Sequence, residues 1–139
     1  DFNGSDSFVV RVSDGSLTDS ITVNITVNAM NDAPVISQGA GPLSKTVSED
    51  GTATWTSAEL SATDADTAAS SLTWSVSSQA SNGTATVTGS GASPAAFTYA
   101  PNANFNGSDS FVVRVSDGSL SDTRPTQCQR IITEKHHFT

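Results

Sequence analysis

Sixteen consecutive residues occur twice in this chain without a change. Residues 2–17 and residues 105–120 both read FNGSDSFVVRVSDGSL, at a spacing of 103. Solenoid units that need their neighbours for a core repeat every 20 to 50 residues or so. A spacing near 100 is instead the size of an autonomous β-sandwich domain. The chain is therefore read as the closing segment of one repeat (1–30), a second repeat (31–123) and an atypical tail (124–139).

The residues between the two copies support an all-β reading. In 20–27, Ile21, Val23, Ile25 and Val27 alternate with Thr22, Asn24 and Thr26, the period-two pattern of a strand with one buried face. Residues 7–13 place Phe8, Val10 and Val12 on one side, and Asp14-Gly15-Ser16 between the two runs marks a hairpin turn. Asn28 to Pro34 is a short join. Further strands are predicted at 43–47, 52–56, 71–76, 84–88, 96–100 and 111–116, with one helical turn near 57–62. Turns recur every 8 to 15 residues or so, the pattern of a Greek-key β-sandwich, immunoglobulin-like or cadherin-like. Its predicted core is Trp55, Trp74, Phe97, Tyr99, Phe111, Val113 and Val115.

The chain has 14 acidic against 6 basic residues and a net charge of -8, and three of the six basic residues, Arg124, Arg130 and Lys135, lie in the last sixteen. That balance disfavours nucleic acid and anionic lipid and favours cations. One cysteine, Cys128, rules out an intrachain disulfide. No apolar run approaches membrane-spanning length. Neither the adjacent His136 and His137 nor Cys128 has the partners a catalytic centre needs, so no enzyme is expected.

The acids gather at turns. Following a sandwich strand by strand brings Asn31 and Asp32 at the join, the loop of Asp64 and Asp66, and Asp6 of the preceding repeat to one end. Glu49, Asp50 and Asp109 go to the other. Calcium takes six to eight oxygen ligands, which loops of this kind supply. The competing reading is that these side chains cap their own turns, as Asp14 and Asp117 before glycine are expected to do.

The NDAPV string, the following Glu49-Asp50, the TDAD loop and the run from Phe97 to Phe111 closing in Asp117-Gly118 resemble the bacterial cadherin-like repeats of large secreted, RTX-type adhesins. The resemblance covers 1–122. It implies export to the cell surface or beyond, a repeated stalk for cell attachment or biofilm, and calcium as cofactor. It also implies ligand roles for Glu49, for Asp64 with Asp66, and for Asn31 with Asp32. The mid-domain acidic triplet of classical cadherins is absent, which implies one or two ions per join. The alternative function is an extracellular carbohydrate-binding module.

At the repeat spacing, the alternating strand of 20–27 should recur after residue 122, but the chain reads TRPTQCQRIITEKHHFT. The second repeat is thus expected to lack a good final strand. The expected partners are neighbouring repeats and, with 21–27 filling the vacant edge either within the same chain or in a second copy, a strand-exchanged homodimer.

Overall fold

The computed structural model describes residues 2–39, 41–48 and 51–131. They divide between Asn31 and Asp32 into two compact units. No helix among the described residues is long and apolar enough to cross a membrane.

The first unit is a hairpin of β1 (Gly4–Ser13) and β2 (Thr18–Val27), antiparallel from Gly4↔Val27 to Ser13↔Thr18. Asp14 builds its turn. Its Oδ1 accepts the N–H groups of Ser16 and Leu17 at 2.8 and 2.7 Å, and Gly15 takes the left-handed backbone that the turn requires (φ 98°).

Among the described residues the second unit carries nine strands: β3 (Val35–Ile36), β4 (Leu43–Ser48), β5 (Ala53–Thr54), β6 (Ala62–Thr63), β7 (Thr73–Ser78), β8 (Gly83–Thr88), β9 (Ala96–Pro101), β10 (Gly107–Ser116) and β11 (Ser121–Ile131). One sheet has the order β4-β11-β10-β7, the other β5-β9-β8, and β3 pairs with β6. The side chains that alternate inward from the two sheets form one core. All seven residues of the predicted core are buried in it. Trp55 stacks on Phe97 with centroids 4.4 Å apart, Phe111 meets both rings edge-on at 5.9 and 6.2 Å, and Tyr99 lies parallel to Phe111 at 6.0 Å. Such pairs add about 0.5–1.5 kcal/mol each beyond the area they bury. The buried indole N–H of Trp74 donates to the Gly91 carbonyl at 2.9 Å, so its burial leaves no donor unmet.

One local expectation is corrected. Residues 57–60 form turns rather than a helix, and put Leu60 at the centre of the core. A short 3-10 helix appears instead at Ala69–Ser71.

The larger correction concerns the end of the chain. The stretch after 123 was read as a tail without alternation, leaving an open edge. Residues 121–131 are in fact a full strand, antiparallel to β10 and, from Thr126↔Leu43 to Ile131↔Ser48, parallel to β4. A ladder asks only for backbone donors and acceptors, and the alternation survives in burial if not in polarity. Arg124, Thr126, Cys128 and Arg130 point inward, with Gln127 and Gln129 outward. Pro125 stands one residue before pairing with β4 begins, so its missing N–H removes nothing from that ladder. The buried arginines reach loop carbonyls: Arg124 Nη1 donates to Gly39 O at 2.6 Å, and Arg130 Nη1 donates to the carbonyls of Asn102 and Phe105. The remaining tail, with His136 and His137, lies outside the described residues.

Identical residues in the two copies give a matched pair for testing how much of the stability resides in this core. Phe111→Ala is expected to cost about 3–5 kcal/mol, and Phe8→Ala, at an exposed site, less than about 0.5 kcal/mol. Urea unfolding of the full chain reads both.

Candidate functional site

Of the predicted cation ligands, Asp32, Asp64 and Asp66 come together in the second unit. Asp64 caps its own loop. Its Oδ1 accepts the N–H groups of Asp66 and Thr67 at 3.0 and 2.9 Å. Asp66 Oδ2 accepts the Asp32 N–H at 3.0 Å, which ties the loop to the segment leading into β3. A cleft between them is lined by Asp32, Ala33, Val35, Thr63, Asp64 and Ala65.

The second oxygen of Asp64 differs from these. Oδ2 is buried and has no hydrogen-bond partner among the described residues. Buried polar atoms are nearly always partnered, so this oxygen marks a position suited to a donor or a cation. Burial works against ionisation of Asp64, but the backbone N–H groups of Asp66 and Thr67, together with the Asp66 side chain, outweigh it and hold the carboxyl below its usual range; the nearby charge of Asp117 acts in the opposite direction. Asp117 was expected only as a turn residue, and it is one: its Oδ1 accepts Ser119 and Leu120 N–H at 2.7 Å each. Its influence on Asp64 comes from sheet topology and leaves no local signal in the sequence.

This end offers an anchor for a cation without an assembled cage. Among the described residues, no group of three or more His, Cys, Asp or Glu side chains is placed to hold a metal ion. Asp6 lies in the first unit, where its Oδ1 accepts the Ser7 N–H, and Asn31 is the last residue of that unit. Glu49 and Asp50 fall outside the described residues.

Asp109 is a correction. Read as a ligand, it is instead a buried acceptor whose two oxygens are taken by the protein. Oδ2 receives the Tyr99 hydroxyl at 2.7 Å and the Asn82 N–H at 2.9 Å. Oδ1 receives the N–H groups of Ser110 and Ser81 at 2.9 and 3.2 Å. The network joins β9, β10 and the turn before β8 inside the core. Burial, reinforced by the Asp109 carboxylate, pushes the Tyr99 hydroxyl far above its usual value, so it remains a donor at any physiological pH. Gly83 makes room for that ring, because a Cβ there would stand 2.6 Å from both Tyr99 Cε2 and Oη. Burial and the Asp109 charge also raise the Cys128 thiol to about 11, which leaves it unreactive at neutral pH.

Sequence reasoning missed one surface cluster. Lys45 Nζ lies 3.3 Å from Glu59, donates to the Thr54 carbonyl, and stands 5.4 Å from the Trp55 ring centre. Glu59 also accepts the Thr56 N–H at 2.7 Å, and its carboxyl is held below the usual range chiefly by that bond. The arrangement covers one edge of the core and presents no reactive group.

Two facing sheets, with a parallel β4–β11 pair at the margin of one, define an immunoglobulin-like β-sandwich. The chain belongs to the bacterial Ig domain family, which matches residues 31–127. None of the curated proteins matches it. Among solved structures it is similar to the endo-fucoidan hydrolase MfFcnA4 from glycoside hydrolase family 107, with 24% identity and a TM-score of 0.53 over 95% of this chain and 19% of that one. A second such enzyme, MfFcnA9, gives 16% identity and a TM-score of 0.48 over 92% of this chain and 22% of that one. The S-layer protein SbsC, domains 4 and 5, gives 18% and 0.39 over 89% and 58%. The chain spans about a fifth of the hydrolases' length, and the likeness to MfFcnA4 is one of fold.

Two outcomes follow from this geometry. Tyr99→Phe removes one hydrogen bond to a buried carboxylate and is expected to cost about 1.5–3 kcal/mol in urea unfolding. The depressed carboxyl of Asp64 contributes stability above its unfolded pKa of about 3.9 that is lost as pH falls through the lower folded value. Urea midpoints measured against pH should therefore fall in the acid range, and less steeply in Asp64→Asn.

Proposed function

We propose that this chain is a spacer repeat of a large secreted or cell-surface adhesin, in which sandwich domains follow one another as a stalk for cell attachment or biofilm. The observation that carries this reading is the repeated hairpin. The same sixteen residues, 103 apart, fold into the same turn and the same strand pairing in both copies, as expected of a protein built by repetition. Membership of the bacterial Ig domain family supports a surface or extracellular setting. The acidic balance supports a soluble, cation-attracting exterior.

Within this reading, calcium at the acidic end stiffens the repeat, with Asp64 Oδ2 as the anchor and Asp32 and Asp66 closing on it. Support comes from the unmatched buried oxygen. A carbohydrate-binding role gains no support, because Trp55, Trp74 and Tyr99, the side chains suited to stacking on a sugar, are all in the core.

Thermal unfolding of the full chain in calcium and in chelator tests the proposal. A ligand that binds only the folded state stabilises it by about 2.7 kcal/mol at a hundred times its Kd. The expected result is a melting temperature that rises with calcium in the wild type and stays flat in Asp64→Asn/Asp66→Asn. No response in the wild type would retire calcium and leave an unstiffened spacer.

A further inference from the structure

In the three-stranded sheet, ordered β5-β9-β8, the edges are β5 and β8. An edge strand turns alternate N–H and C=O groups away from its neighbour, where they can pair with any strand that approaches. At β8, Ala85 is such a residue, and the side-chain amide of Gln79, just past the end of β7, holds both of its groups. Gln79 Oε1 accepts the Ala85 N–H at 2.7 Å, and Nε2 donates to the Ala85 carbonyl at 3.1 Å. The same Oε1 accepts the Ala80 N–H at 3.1 Å, which fixes the amide on its own loop.

The β5 edge is closed by different side chains. The Trp55 N–H donates toward β9, to the Phe97 carbonyl at 3.0 Å, so Thr54 and Thr56 on either side turn outward. Lys45 Nζ donates to the Thr54 carbonyl, and Glu59 Oε2 accepts the Thr56 N–H at 2.7 Å. Lys45 and Glu59 also hold each other at 3.3 Å. Lys45 comes from β4, an edge of the other sheet, and alternates with the exposed Ser44 and Thr46. One ammonium therefore stands across two edges. An exposed ion pair adds little to stability, and these side chains are 31% and 41% exposed; their role lies in the groups they occupy. Inward charge on an edge strand is one of the devices by which sheet proteins avoid edge-to-edge pairing.

We propose that Gln79, Lys45 and Glu59 are edge guards, which keep the β5-β9-β8 sheet from pairing edge to edge with the same sheet of a second copy. The longer edge, β8, is the one at risk. Its six residues, Gly83–Thr88, are all uncharged and alternate exposed Thr84, Thr86 and Thr88 with inward Ala85 and Val87. A strand of that composition pairs readily with its own kind. Two copies meeting there antiparallel would form a two-fold contact, with Ala85 of each in the place that Gln79 now fills. The danger grows with repetition, because on the spacer reading above one polypeptide presents the same edge many times at high local concentration. The guards answer it by occupancy and charge rather than by strengthening the fold, and they require no calcium.

Sedimentation of the full chain from micromolar to millimolar, well below the unfolding midpoint, tests the guards without reference to calcium or attachment. The association constant of Lys45→Met/Glu59→Leu/Gln79→Leu should exceed that of the wild type by about tenfold or more. Amide hydrogen exchange then identifies the surface. In the dilute variant, Ala85 and Thr56 should exchange about tenfold faster than in the wild type, and Ala85 should regain protection as the variant associates. Should the triple variant not fold, Gln79→Leu alone carries the same readouts at Ala85. Val113→Ala, at a fully buried site, lowers stability from within the core, leaves both edges intact, and should associate no more than the wild type. Equal association of variant and wild type overturns the proposal, as does a Val113→Ala chain that associates as strongly as the variant. An associated variant whose Ala85 amide still exchanges freely also overturns it, because the contact would then lie elsewhere.

Discussion

Phe111 stands where the two sheets meet, edge-on to Trp55 and Phe97 and parallel to Tyr99, and the remainder of the second unit is arranged around that contact. Two residues earlier on the same strand, Asp109 takes the Tyr99 hydroxyl. A single pleat of β10 thus fixes the spacing of the sheets by ring contact and their alignment by a hydrogen bond. Because side chains on a strand alternate, Val113 and Val115 follow Phe111 onto the same face. Slipping β10 by one residue would turn all of them toward water.

The sandwich was legible because its strands announce themselves in two ways at once, through alternation and through turn residues. Residues 111–116 and 96–100 carry large apolar side chains every second position, and Asp117-Gly118 can hardly be read as anything but a turn. The final strand was not legible, for a reason that is physical rather than accidental. Sequence alternation reports the polarity of side chains, whereas a strand forms through its backbone. β11 keeps the geometry with Arg, Thr, Cys and Arg turned inward, sheltered by neighbours that the chain assembles elsewhere. The short 3-10 helix at Ala69–Ser71 is similarly silent, being a local turn among small residues.

The acidic residues show how far residue type alone can carry an assignment. Asp6 and Asp109 occupy the same place in the same sixteen-residue string. One is exposed and bonds only its neighbour's N–H, whereas the other is enclosed by Tyr99, Ser81, Asn82 and Ser110. No property of the string distinguishes them. Asp64 and Asp66, by contrast, lie in a loop that Asp66 Oδ2 ties to the Asp32 N–H, a proximity that strand order, readable from the turn spacing, leads one to expect.

The parallel pairing of β4 with β11 has a mechanical consequence. Six residue pairs, from Leu43 with Thr126 to Ser48 with Ile131, join the strand near the entrance of the domain to the strand at its exit. Tension along the polypeptide would draw these two strands past each other lengthwise, after the short β3–β6 pair had yielded. Bonds that cross the line of pull side by side share the load and must break together, whereas a hairpin opened from its end gives way one bond at a time. The antiparallel β1–β2 ribbon, paired from Gly4 with Val27 to Ser13 with Thr18, would open in that second manner under a pull on residues 4 and 27, so one chain holds both a shear clamp and a zipper.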